Sequence, residues 1–445
     1  MKNTIHLMML VTAFVLAGCA KTPDDTGKTV LKVATWDSVR LMPVLQDMAK
    51  SFEKTHPNLV VKFRRIPYGE YMDRLTASQP ASLEPDVLLV STGQTAELVA
   101  RGMVAPIPNA EPYQGGTHPA GYDPDLVNYF SYNAQLFALP RDLAPVCLIY
   151  YNKALFDLAR LPYPAPDWDW NQFLKTARAL SAPPDARHKK RVWGFVEDWS
   201  MVEPWVYELG GRWVSRKTNS SQYAMTSKGL LAGIRFQDDL IHKEMVAPSP
   251  QDFIAEGQIG GADLFLQGQA AMFMSGPWKG AEFRERSGLN WGVVLLPRSP
   301  KGVRAFQMGG SGWGCMTTSE HPQEALELLK FLSSGEAQEQ YARAGIALPA
   351  LRELWKKSGE WNNPALTVAA RALAVGQAVE DPWACNWQDV RENRINPILE
   401  RVWNGELSVE KSVEEIDQVM KENPLNMTPP ARKPPPQNRP AMFLF

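Results

Sequence analysis

The segment from Leu139 to Phe156 separates two stretches of different texture and most restricts the folds open to this chain. It opens on a polar turn, Pro140, Arg141 and Asp142, and then runs apolar from Val146 to Tyr151. A short β-rich run bounded by turn residues predicts a buried strand. Asn152-Lys153 follows, and Ala154-Leu155-Phe156 begins a new element. Upstream the pattern is strand, helix, strand, helix; downstream it is mostly helical and rich in tryptophan. A strand joining two such halves predicts a hinge, and the cleft between the halves predicts a ligand site.

In the upstream half, Val30 to Thr35 alternates as a strand, ended by Trp36-Asp37-Ser38, with Asp37 or Ser38 as the cap of the next helix. Leu41, Val44, Leu45, Met48 and Phe52 recur at helical spacing and predict a helix over 40–54 with one buried stripe. His56-Pro57-Asn58 stops it and Leu59 to Phe63 returns as a strand, a βαβ opening that implies parallel strands. A helix over 68–78 and a strand over 86–90 follow, and Ser91-Thr92-Gly93-Gln94 opens a helix that Gly102 closes. Open α/β sheets bind ligands beyond the carboxyl ends of their strands, which singles out Trp36-Asp37 and Ser91 to Gln94. Thr92 has a second reading as a helix N-cap.

Downstream, Pro162, Pro164 and Pro166 exclude helix until Asp169, after which Phe173, Leu174, Ala177 and Leu180 turn inward. Val192 to Val196 reads as a strand, then comes Glu197-Asp198-Trp199, and a helical stretch runs through Trp205 to Gly210-Gly211. Thr226 to Glu244 reads as one long helix and Ala270 to Met274 as a buried strand. Gly276 and Pro277 fix the turn after that strand, so Trp278 projects from a rigid corner and is placed to stack on a ligand. A wedge between lobes is the alternative use of that ring. Met308 to Gly314 reads as an irregular, glycine-rich hinge that lets a ligand approach the backbone at Gly310 and Ser311 before a strand at Cys315-Met316. A phosphate loop is excluded there, because no Lys-Ser/Thr pair follows. Ser408 caps a last amphipathic helix carrying Val409, Val413, Ile416 and Met420, and Pro429 to Pro440 reads as a polyproline-like tail.

The first residues are a targeting signal: Lys2, an apolar core from Leu7 to Val15, and the small-residue run Leu16-Ala17-Gly18 before Cys19. That core is too short for a membrane-spanning helix, which needs about 20 residues. The polar stretch from Lys21 to Thr29 reads as a tether. Once Cys19 is set apart, Cys147, Cys315 and Cys385 leave room for at most one internal disulfide. No Cys/His spacing suits zinc, so neither a metal nor a cofactor is expected. A net charge of −1 without a basic run gives nucleic acid nothing to bind. At 445 residues the chain is long enough for two or three domains.

Three segments carry a family resemblance: Leu139-Pro140 with Tyr151-Asn152-Lys153 and Leu155-Phe156; Phe265 to Trp278; and Trp291 to Pro297. In this order they resemble the bacterial extracellular solute-binding proteins, in the sugar-binding branch that includes maltose-binding protein. Leu16-Ala17-Gly18-Cys19 likewise resembles a lipobox, which implies lipidation of Cys19. The resemblance implies an α/β, two-lobe, periplasmic-binding-protein-like type II fold with discontinuous lobes around a hinge. The expected layout is a signal peptide over 1–18, a lipid-anchored tether over 19–29, lobe one from 30–142 and 308–348, lobe two from 143–307 and 349–424, and a tail over 425–445. Carried over from the family, Trp36, Asp37, Thr92 and Gln94 are ligand candidates on the first lobe, and Asp198 and Trp199 on the second, with Glu203 and Trp205 as second choices. Relatives also bring an aromatic from near Trp387 or Trp383. Arg141 and Asp142 in the crossover complete the polar set, since sugar hydroxyls suit Asp, Gln and Arg while C–H faces suit Trp.

The function implied is capture of a carbohydrate by hinge closure and its delivery to an ABC-type importer. The protein would be a monomer without catalytic activity, outside the cytoplasmic membrane and held there by its lipid. A carbohydrate-cleaving enzyme would need two carboxylates about 5–10 Å apart across one bond, and no stretch singles out such a pair. An iron(III) receptor, suggested by Tyr150-Tyr151, meets the objection that adjacent strand residues face opposite sides. A phosphorylated polyol or a peptide in the same cleft is the remaining alternative; phosphate calls for several cationic or helix-N-terminal donors.

Overall fold

The computed structural model describes residues 27–76, 85–108, 121–133, 135–183, 190–198, 201–213, 215–216, 223–224, 227–255, 257, 260–345, 347–361, 363–379 and 383–426. Cys19 with its signal and tether up to residue 26, Trp199, and the tail from residue 427 lie outside the described residues.

Two sheets organise the chain. The first has six strands in the order Leu348–Pro349, Leu139–Leu143, Gly310–Cys315, Val87–Ser91, Thr29–Thr35 and Leu59–Arg65. Thr29–Thr35 runs parallel to both of its neighbours, as the βαβ opening requires, whereas Gly310–Cys315 runs antiparallel to Val87–Ser91 and to Leu139–Leu143. The second sheet has four strands in the order Trp291–Leu295, Leu148–Asn152, Met272–Ser275 and Val196–Glu197. Burial of apolar stripes fastens helices to these sheets: Met42–Thr55 buries Leu45, Met48, Ala49 and Phe52. Helix Trp170–Leu180 buries Trp170, Phe173, Ala177 and Leu180 and begins with a capping box between Asp169 and Gln172.

The chain crosses between the sheets where the sequence places its hinge. Ala144 N donates to Gly309 O at 2.8 Å and Val146 N to Gln307 O at 3.1 Å, tying the first crossing to the second. Strand Ala305–Gln307 pairs in parallel with Gln377–Val379, and Met308 N donates to Val379 O at 3.0 Å, which ties a third segment to these crossings. The hinge is therefore a hydrogen-bonded set of three segments.

Several elements differ from the sequence reading. Met308 to Gly314 is not an irregular loop, because Gly310–Cys315 is itself a strand in the interior of the first sheet. Its glycines allow close packing: a Cβ on Gly312 would lie 2.8 Å from Leu139 O and 3.0 Å from the Phe130 ring. The helix expected over 226–244 is α-helical from Ser227 to Asp238 and continues as a π turn over Asp239–Lys243. Neither Asp37 nor Ser38 caps the first helix through its side chain; a 3-10 turn, Val39–Leu41, leads into it. Tyr150 and Tyr151 do face opposite ways: the Tyr150 hydroxyl donates to Gly276 O at 2.9 Å, while Tyr151 packs against Phe156 and Tyr163. Cys147, Cys315 and Cys385 are free thiols, and burial pushes the Cys315 thiol up to about 12. Among the described residues no helix is long and apolar enough to cross a membrane.

Candidate functional site

At the end of strand Thr29–Thr35, Trp36 is half-buried and meets two tyrosines edge-on, Tyr68 at 5.4 Å and Tyr71 at 4.9 Å between centroids. Tyr71 is buried, and its hydroxyl clamps the strand ends by donating to Ala34 O and Leu89 O at 3.1 and 3.0 Å. Tyr68 stays 50% exposed, leaving an open aromatic corner with Trp36. Sequence reasoning passed over Tyr68; its signal is a position at the start of a helix directly after a parallel strand's carboxyl end.

The other polar candidates of the first lobe turn inward. Asp37 Oδ2 accepts from Thr35 Oγ1 at 2.6 Å and from Arg141 Nη1 at 2.7 Å. Arg141 Nε donates to Asp142 Oδ2 at 2.6 Å. Asp142 also accepts from the Ser311 backbone N–H at 3.0 Å and hydroxyl at 2.9 Å. Asp37, Arg141, Asp142 and Ser311 are all buried. Burial opposes the charge on Arg141, but Asp142 and Asp37 outweigh it and hold the guanidinium above its ordinary pKa. Burial raises the Asp142 carboxyl, and Arg141 and the Ser311 hydroxyl offset only part of that rise.

In the second loop, Gln94 rather than Thr92 is the N-cap residue of helix Thr95–Ala100. Gln94 is 1% exposed, and its Oε1 accepts from Ser91 N at 3.4 Å. Thr92 is half-buried, its backbone N–H donating to Gly310 O at 3.1 Å. A Cβ on Gly93 would stand 3.4 Å from Gln388 Oε1, so this loop touches the helix Trp387–Val390.

The second sheet contributes a different cluster. Strands Val196–Glu197 and Met272–Ser275 lie side by side and parallel, so the residues after them emerge together. Asp198 Oδ2 accepts from Ser275 Oγ at 2.9 Å and from the Trp278 indole N–H at 3.3 Å, and Lys279 Nζ stands 3.5 Å from Asp198 Oδ1. Trp278 is half-buried and is the N-cap residue of helix Lys279–Glu285. Its ring folds back over Gly276, where any Cβ would overlap it. The Gly276-Pro277 corner presents the ring beside Asp198 instead of projecting it freely. Lys279 and Ser275 were not anticipated; each adjoins an anticipated element end.

Behind this cluster, burial pushes Glu197 up to about 7 against the hydrogen bonds that Met201 N and Trp205 Nε1 donate. The second choices are interior: Trp205 is fully buried, and Glu203 pairs with Arg391 and accepts from Trp213 Nε1 at 3.1 Å. Trp387 is buried too. Trp383 instead stacks on Tyr132 of the first half, with centroids 4.7 Å apart and planes 6° from parallel. Arg40, four residues after Trp36, forms an ion pair with Glu285 at the far end of the helix that Trp278 begins. That ion pair joins the segment after Trp36 to the helix that Trp278 begins.

The sequence matches the family of bacterial extracellular solute-binding proteins over residues 36–339. It is 23% identical to the galactooligosaccharide-binding protein of Bacillus subtilis over 86% of this chain and 87% of that protein. It is also 23% identical to the maltodextrin-binding protein of the same organism, over 92% and 94%. Among solved structures, a substrate-binding protein of Listeria monocytogenes in complex with cycloalternan superposes with a TM-score of 0.75 at 22% identity, covering 89% of this chain and 99% of that one. The two-lobe α/β architecture with discontinuous lobes is common to both. With two sheets joined through a hydrogen-bonded hinge and more than half its length matched, this chain belongs to the bacterial extracellular solute-binding protein family.

Proposed function

We propose that the protein captures an uncharged carbohydrate between its lobes and hands it to an ABC-type importer. The observation that supports this reading is the Trp36–Tyr68 corner at the end of one sheet and Trp278 with Asp198 at the end of the other, with the Arg40–Glu285 ion pair joining the two segments. Aromatic faces suit the C–H patches of a sugar ring, and a carboxylate such as Asp198 beside them suits hydroxyls. Two cations of these clusters are engaged by carboxylates, Arg141 by Asp37 and Asp142 and Lys279 by Asp198, and Arg65 donates to the Asp37 carbonyl. That balance argues against a phosphorylated or acidic ligand, which would call for unpaired donors. The sugars named for the relatives point the same way.

In this reading lobe one comprises 30–142 and 308–348, lobe two 143–307 and 349–424, and closure swings them about the hydrogen-bonded hinge. Cys19 carries the lipid that holds the receptor at the membrane, and the protein binds its sugar without cleaving it. A thermal-shift screen with maltose, maltotriose, galactooligosaccharides and matched sugar phosphates tests the reading, since a ligand of the native state alone raises the melting temperature. A neutral oligosaccharide should stabilise the protein and bind by calorimetry. Stabilisation by sugar phosphates alone, or by no sugar in the panel, would overturn it.

A further inference from the structure

A chain of buried polar contacts runs from the first candidate loop to the hinge. Asp37, next to Trp36, is held by Arg141 at 2.7 Å, and Arg141 holds Asp142 at 2.6 Å. Asp142 in turn fixes both the backbone N–H and the hydroxyl of Ser311, where the pairing register shifts between Ser311 and Gly312. The neighbouring residue Leu143 pairs with Gly310 on one side and with Leu348 on the other, and Ala144 beyond it bonds Gly309. Asp142 therefore sits where the first two crossings leave the sheet. The guanidinium itself is wedged, lying 4.8 Å from the Tyr341 ring centroid and 5.4 Å from that of Trp313.

A guanidinium is planar, with donors in a fixed fork, so gripping two carboxylates at once sets the angle between the elements carrying them. In a buried site such contacts are either made or lost, since water cannot substitute for them. We propose that Arg141 is a positioning residue that couples the Trp36–Asp37 loop to the hinge, making ligand capture and lobe closure one event. This rests on the receptor reading above.

The test is Arg141→Lys, which keeps the charge but offers a point donor in place of a fork. Spin labels at Lys50→Cys and Asn171→Cys, both exposed and one on each lobe, report the distance between lobes in a Cys385→Ser background. The labelled protein is measured without ligand and with maltotriose, alongside calorimetry and melting. Expected are a shifted or broadened distance distribution in the ligand-free variant and an affinity for maltotriose lowered about tenfold or more. An unaltered distribution and affinity with only a lower melting temperature would overturn the proposal and leave Arg141 a purely structural residue. If the parent protein binds no maltotriose, the ligand-free distribution still decides the coupling, while the receptor reading falls on the sugar panel. Should Arg141→Lys not fold, Ser311→Ala removes one hydroxyl from the same path and is expected to shift the distribution in the same direction by less; no shift would count against the coupling.

Discussion

Gly276→Ala tests the Trp278 platform without touching the ring. The indole lies directly over Gly276, so a methyl there overlaps three ring carbons. Non-bonded carbons settle about 3.5–4.0 Å apart, so the ring must retreat by roughly 1–2 Å. The retreat breaks the 3.3 Å bond to Asp198 and tilts the face that would meet a sugar. An aromatic contact is worth about 0.5–1.5 kcal/mol beyond its area, and a net hydrogen bond to a charged group about 1.5–3 kcal/mol. Part of the second amount is recovered by solvent at a half-exposed site, which leaves a loss of about 1–2 kcal/mol, or roughly 5- to 30-fold in affinity. Trp278→Ala should cost more, roughly 10- to 100-fold, because the whole face is gone. Calorimetric titration with the tightest-binding sugar measures both, and melting without ligand controls for stability. Should Gly276→Ala bind as tightly as the parent while melting several degrees lower, the ring is packing, and the sugar platform must be sought at Trp36 and Tyr68.

Glu197 should give the fold a pH dependence. Its folded pKa, about 7, exceeds the unfolded value, so the fold holds a proton that the unfolded chain has already lost. The associated stability is fully present below roughly pH 4.3 and is lost as pH rises through about 7; Glu197→Gln should flatten the melting curve over that window. Asp169→Ala removes the side-chain acceptor of a capping box, keeping the bond from the residue 169 backbone N–H to Gln172 Oε1, and should cost about 1 kcal/mol of stability while leaving sugar affinity unchanged, read by denaturant melts and calorimetry. Cys19→Ala should abolish incorporation of labelled fatty acid and release the protein from membranes; an unmodified cysteine in the mature native chain, seen by mass spectrometry, contradicts the anchor. Days of incubation with maltotriose should release no reducing ends, and steady release would point to an enzyme.

Local patterns were legible because they are local. The stripe Leu45, Met48 and Phe52 follows directly from helical periodicity, and the prolines before Asp169 mark where its helix can begin. The strand Gly310–Cys315 was not legible: glycine has poor strand propensity, and only its neighbours Val87–Ser91 and Leu139–Leu143, far away in sequence, create the narrow slot it fills. Residue type marked Asp37 and Arg141 as ligand groups, yet spacing cannot show which way a strand-end side chain turns. Here each finds its partner 104 positions away and folds inward. Asp198 and Trp278 were singled out separately, and only the parallel pairing of the strands before them brings them together.

The central strand of the first sheet has a consequence for the order in which the protein can fold. Gly310–Cys315 separates Val87–Ser91 from Leu139–Leu143, so the first lobe lacks its middle until the chain has been made well past residue 315. Pairing Ser91 with Ser311 closes a loop of more than two hundred residues, and such long-range contacts make folding slow. A nascent chain of this topology stays open while most of its length emerges. The strand that binds the two halves of the first sheet together therefore also postpones that sheet's completion until most of the chain has been made.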